Sequence, residues 1–199
     1  IEVTRNGTPT VEGELAADQA SEKTWDGIFI GRHTAEKGIF DALEIWRRVR
    51  ERRPGARLVL IGACAPETKR QIETLTDAHG MSGEIELAGV VSDRRKFELL
   101  RASRVLLAPS RVEGWGFVPL EALYAGVPVV CWDLAAYREA LPDVTAVARV
   151  HAGDLDRFTD HVLGALEGNV RAAEVIPEPG HSWGDVAARE WAAVVREAA

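Results

Sequence analysis

Short, wholly apolar runs alternate with segments of helical spacing along most of this chain. Leu58-Val59-Leu60-Ile61 is apolar on both faces, which suits a strand buried inside a parallel sheet better than one with a wet side. Trp25–Ile30, Ile85–Ala88, Val105–Ala108, Val127–Trp132 and Ala146–Val150 also read as strands. Between them the pattern changes period. Apolar residues at 39, 42, 43, 46 and 49 lie on one helical face, and Pro54-Gly55 ends that helix. A helix over 66–79 closes at Gly80, and Ser92 or Asp93 caps another that runs to about Ala102. A short helix stops at Gly126 with Pro128 behind it, and others cover 135–141 and, capped by Asp154, about 155–167. The alternation predicts an α/β fold, doubly wound, with a mainly parallel sheet and helices on both faces. Ligands of such sheets bind beyond the carboxyl ends of the strands.

The 199 residues suffice for one domain with a real core. Residues 1–24 read as a leading strand, broken at Asn6-Gly7-Thr8-Pro9, and an exposed acidic connection. Residues 25–181 form the α/β domain, and 182–199 a final amphipathic helix. A net charge of -7 argues against general nucleic-acid binding, which relies on basic surface. No apolar run is long enough to span a bilayer, and no basic-then-apolar leader is present, so no membrane contact is expected of this domain. Cys64 and Cys131 both lie in or beside apolar strand-like runs, as buried thiols of a reducing, cytoplasmic setting would. The chain begins at Ile1 rather than Met, as an excised piece of something larger would.

The most informative stretch runs from Pro109 to Glu121. It leaves an apolar strand, passes through Gly114-Trp115-Gly116 and enters a helix. Backbone N–H groups of such a loop can converge on an anion. Glu113 and Glu121 flank those amides, with seven residues between them. Paired acids suit glycoside hydrolysis, or they can grip hydroxyls at two ends of a ligand whose phosphates lie between. Pro119 fits the first turn of a helix and sets the two acids on opposite sides of the amides, which favours gripping. The plainer alternative is a carboxylate complementing a helix dipole and a surface loop residue. Arg32 and Lys37 share another strand-to-helix loop, where Gly38 leaves room for close approach. Two cations there could neutralise a diphosphate without a metal. Pro119 stands where a third fingerprint glycine would be, so the loop is not a dinucleotide motif. No metal-type His/Cys spacing is present. The histidines at 33, 79, 151, 161 and 181 are scattered, and His33 reads as an exposed loop residue. Trp115 reads as an anchor of its own loop.

These residues together resemble the donor-binding half of the retaining, family-four glycosyltransferases of the GT-B fold. The resemblance rests on Gly31-Arg32 followed by Lys37-Gly38, on Pro109-Ser110, on the two glutamates with Gly114-Trp115-Gly116-Phe117 between them, and on Ala125-Gly126-Val127-Pro128-Val129-Val130. Asn6-Gly7 is similar to the family's passage into this half, and Ser182-Trp183 with the last helix to its C-terminal return helix.

The resemblance implies a Rossmann-like domain that binds a UDP-, GDP- or ADP-hexose and serves metal-independent, retaining transfer, with no cofactor. It implies that Arg32 and Lys37 hold the diphosphate beside Gly31. Glu113 would bind the donor sugar, helped by the amides of Gly114, Trp115, Gly116 and Phe117. Val118 and its neighbours would meet the phosphates and Glu121 the ribose, with Val90, Val91 and Ser92 at the base. It further implies an N-terminal acceptor-binding domain absent from this chain, so that the chain alone binds donor but transfers poorly. A nucleotide-sugar epimerase and a non-catalytic nucleotide-sugar-binding module stay open as alternatives. The chain departs from the family pattern at Ala135-Ala136, where two glycines are usual, at Arg104, where an acid is common, and at Trp115, where phenylalanine is more usual. Such changes could alter the pocket wall.

Overall fold

A computed structural model describes residues 22–141 and 143–169. The expected leading strand, Asn6-Gly7, most of the polar stretch after 168 and the final helix with Ser182-Trp183 lie outside the described residues.

Among the described residues six strands and six helices alternate: β1 Trp25–Ile30, α1 Ile39–Arg52, β2 Leu58–Ile61, α2 Pro66–Ala78, β3 Ile85–Gly89, α3 Asp93–Arg101, β4 Ser103–Ala108, α4 Phe117–Tyr124, β5 Val129–Trp132, α5 Ala135–Ala140, β6 Val147–Val150 and α6 Leu155–Leu166. The strands form one sheet in the order β3-β2-β1-β4-β5-β6, and every pairing is parallel. The fold is therefore Rossmann-like and doubly wound. The order reverses between β1 and β4, the point at which ligands of such sheets bind in a crevice beyond the carboxyl ends of the strands.

Strand alternation sorts the apolar side chains onto two faces. Phe29, Leu58, Leu60, Val105, Leu107, Val130 and Trp132 join one core with α1 and α6. Ile28, Val59, Leu106 and Cys131 alternate with them and are equally buried. This is why the strands read as continuous apolar runs. On the first face the Trp46 ring of α1 lies directly over Gly27, where an added Cβ would come within 2.5 Å of it. Its indole N–H donates to the Ala56 carbonyl at 3.3 Å.

Helix ends follow local chemistry. The Ser92 hydroxyl accepts from the Arg95 amide at 3.3 Å, and the Asp154 carboxylate from the Arg157 amide at 3.0 Å. The helices beside the crevice differ. Both α1 and α4 begin at a left-handed glycine, Gly38 and Gly116, with no side-chain cap. Among the described residues no helix is long and apolar enough to cross a membrane.

Two expectations change. Arg104 sits at the amino end of β4, 3.7 Å from Asp26, so its departure from the family pattern does not touch the crevice. Cys131 is buried, its thiol pushed up to about 12 by desolvation, whereas Cys64 is only half-buried.

Candidate functional site

The loops that follow β1 and β4 face each other across the reversal point and are stitched together. The Arg111 amide donates to the Glu36 carbonyl at 2.8 Å, and its guanidinium grips Asp41 of α1 at 2.9 and 3.1 Å. Gly38 completes the seam. Its φ of 76° and its contact with Pro109 both need glycine, since a Cβ would stand 1.9 Å from the Pro109 carbonyl oxygen. The close approach expected at Gly38 is thus to the neighbouring loop.

Within this seam Lys37 and Glu113 form an ion pair of 2.9 Å, 76 residues apart in sequence. Glu113 also accepts from the Gly114 amide at 3.0 Å. Both side chains keep partial exposure, 25% for Lys37 and 19% for Glu113, so the pair is reachable from solvent and is not sealed in the core. Gly31 lies at the end of β1 and Arg32 is exposed beside it; the Glu36 carboxyl is lowered by its own backbone amide first, then by Thr34, with a smaller contribution from the Arg32 charge.

Beyond Glu113 the chain turns under Tyr137. A Cβ on Gly116 would come within 2.9 Å of that ring. Tyr137 is fully buried; desolvation raises its pKa, a hydrogen bond with Ser110 opposes the rise, and the Glu113 charge adds to it. Trp115 and Phe117 lie with ring centroids 6.4 Å apart, and the Trp115 indole nitrogen is buried with no partner among the described residues. The helix that follows carries Val118 in its first turn and opens toward the carboxyl edge of the sheet, where helix amides favour an anion.

Glu121 lies in the second turn of α4 and is 6% exposed. Its Oε1 takes a 2.8 Å bond from Lys96 of α3, which also reaches Asp93 at 3.2 Å. Burial pushes the Glu121 carboxyl up, and Lys96 pulls it back. The third loop meets the site through this pair. Its Val90 stands 78% exposed, Val91 is half-buried, and Ser92 is committed to capping α3.

His33 corrects an expectation. It is 1% exposed, not a surface loop residue, because its ring packs against Phe29 at 5.9 Å and its amide is tied to the Ala63 carbonyl at 2.8 Å. Burial lowers its pKa; the Ile61 carbonyl lies near enough to oppose that, yet neither ring nitrogen makes a well-formed hydrogen bond.

Sequence reasoning found Arg32, Lys37, Glu113 and Glu121 but missed Lys96, Tyr137 and the Arg111–Asp41 clasp. Lys96 had a signal: it precedes buried Leu99 and Leu100 by three and four residues, which puts a cation on the buried stripe of α3. The clasp had none, since its partners are 70 residues apart. Among the described residues no cluster of three or more His, Cys, Asp or Glu could hold a metal ion. An open groove of about 450 Å³ lies at the other end of the sheet, where α1 and α6 finish, and none of the candidate residues lines it.

The phosphatidyl-myo-inositol mannosyltransferase of Mycobacterium leprae (strain TN) is 32% identical over 145 residues, 72% of this chain and 37% of that protein. The O-antigen chain mannosyltransferase B of Escherichia coli is 30% identical over 152 residues, 75% of this chain and 39% of that protein. The chain thus spans well under half the length of these curated relatives. The crystal structure of Anabaena HepE in complex with UDP superposes with a TM-score of 0.75 at 14% identity, covering 87% of this chain and 49% of that one, and so shares the fold. Residues 13–177 match the family model described as Glycosyl transferases group 1. With that match across most of its length, the chain belongs to the group 1 glycosyl transferases.

Proposed function

We propose that this chain is the donor-binding domain of a retaining, metal-independent hexosyltransferase, taking a nucleotide diphosphate hexose at the crevice between β1 and β4. The observation that carries the reading is the Lys37–Glu113 pair, held on the crevice wall by two stitched loops. A cation and an anion in contact satisfy each other until a ligand with both kinds of partner arrives. The diphosphate then takes Lys37, joined by Arg32 and the start of α4, and a sugar hydroxyl takes Glu113. Glu121 receives the ribose, and the segment 90–92 the base. As the diphosphate leaves, charge grows on its oxygens, and fixed cations and helix amides stabilise that charge more than the ground state. The acceptor is bound by a further domain, so the chain alone binds donor but transfers little sugar. Support comes from the family, from mannosyltransferase relatives and from a UDP-bound neighbour of the same fold.

Calorimetry with UDP, GDP and ADP tests this reading. One of them binds, and Lys37→Ala weakens that binding by about 1.5–3 kcal/mol, the range for a hydrogen bond to a charged group. Absence of binding by all three to folded protein would overturn the proposal. An unchanged affinity in the variant would remove Lys37 from the site.

A further inference from the structure

Glu121 is a carboxylate in an apolar place. Its neighbours on α4 include Ala122 and Leu123, both fully buried, and α4 carries no other charged residue. The charged groups that face it come from α3: Lys96, whose Nζ donates to Oε1 at 2.8 Å, and Asp93, whose charge acts in the opposite sense. The second oxygen, Oε2, is buried and has no partner among the described residues. A carboxylate can accept several hydrogen bonds across its two oxygens, so this one is under-supplied with donors. Lys96 is itself only 17% exposed, and its ammonium also lies 3.2 Å from the exposed Asp93 carboxylate.

We propose that Lys96 is a positioning residue, which holds Glu121 ionised and aimed so that the carboxylate can accept the two ribose hydroxyls of the nucleotide. The inference rests on the nucleotide-sugar reading above and adds to it a residue outside the motif that carries that reading. The chemistry is direct. A neutral carboxyl has its own proton to donate and fewer lone pairs to offer a diol. Burial favours that neutral form, and the lysine opposes it. Hydroxyl donors arriving with the ribose supply what Oε2 lacks. The 2′- and 3′-hydroxyls thereby become a condition of binding, and Lys96 sets the pH down to which the condition holds.

The test uses the whole chain and two readouts. The first is the Glu121 carboxyl titration, followed by carbon NMR without ligand, in wild type, Lys96→Met and Lys96→Arg. Lys96→Met moves the titration upward by one unit or more, about a tenfold change in the ionisation equilibrium, and Lys96→Arg returns it most of the way. The second is affinity for whichever of UDP, GDP and ADP binds, and for its 2′-deoxy form, at about pH 8 and about pH 6. Wild type prefers the ribonucleotide at both. Lys96→Met keeps part of the preference at the higher pH and loses about tenfold in ribonucleotide affinity at the lower, because the carboxyl gains its proton as pH falls through the raised pKa. A titration unmoved in Lys96→Met would overturn the role of Lys96. A wild type that binds but does not distinguish deoxyribose would overturn the ribose assignment. A wild type that binds none of the three overturns the nucleotide reading and the ribose half of this proposal, while the titration still decides whether Lys96 holds Glu121 charged.

Discussion

At the scale of single residues, His33 shows how an apolar fold handles a titratable side chain that it cannot satisfy. Its ring is buried against Phe29, and the cost of charging it there lowers its pKa from 6.5. The unfolded chain then binds a proton that the folded chain refuses, so stability falls as pH drops below about 6.5 and is unaffected well above it. His33→Leu removes both the proton linkage and two unpaired ring nitrogens. Urea unfolding should find the variant more stable than wild type at about pH 5.5 and the gap narrower at about pH 8. An equal gap at both values would mean that the ring is charged or solvated in the native state. The same burial hides His33 from sequence reasoning. Its neighbours Arg32 and Thr34 suggest an exposed loop, and only the pairing of β1 with β2 puts Ile61 and Ala63 against it.

Among elements, the two loops at the reversal point work as one unit because the Arg111 clasp and the Glu36 carbonyl join them. The Arg111 side chain is 61% exposed, so its ion pair adds little to global stability. Its value lies in placing Glu113 opposite Lys37. Arg111→Ala should change unfolding free energy by no more than about 1 kcal/mol yet weaken nucleotide diphosphate binding several-fold in calorimetry, through the freedom gained by the loop. A large loss of stability with unchanged affinity would reverse that assignment. The elements themselves were almost fully legible: α1 starts at Ile39, β2 covers Leu58–Ile61 and α2 starts at Pro66, each where the pattern places it. Their signals are local, from glycine stops, proline starts and apolar runs. The order of strands in the sheet is not local, and neither is any contact between α3 and α4. That is why Glu121 was legible as a candidate while its pairing with Lys96 was not. Tyr137 was hidden for the same reason, since its place under Gly116 depends on how α5 returns to the sheet.

For the whole molecule, the sheet order 3-2-1-4-5-6 brings residues from the first and fourth loops into contact, 76 positions apart at the Lys37–Glu113 pair. The far end of the same sheet carries an open groove lined by Arg52, Arg53 and Asp160, built from exposed helix ends and carrying an Arg52–Asp160 ion pair at 2.5 Å. The pairing of Lys37 with Glu113 at the reversal point favours the other end. Mapping backbone amide shifts by NMR, as UDP, GDP or ADP is added, separates the two ends in one experiment. The account predicts that the largest changes fall in 31–38, 90–92 and 110–121, with those near Arg52, Asp160 and Glu167 undisturbed. Changes centred on the α1–α6 end, with the stitched loops silent, would contradict it.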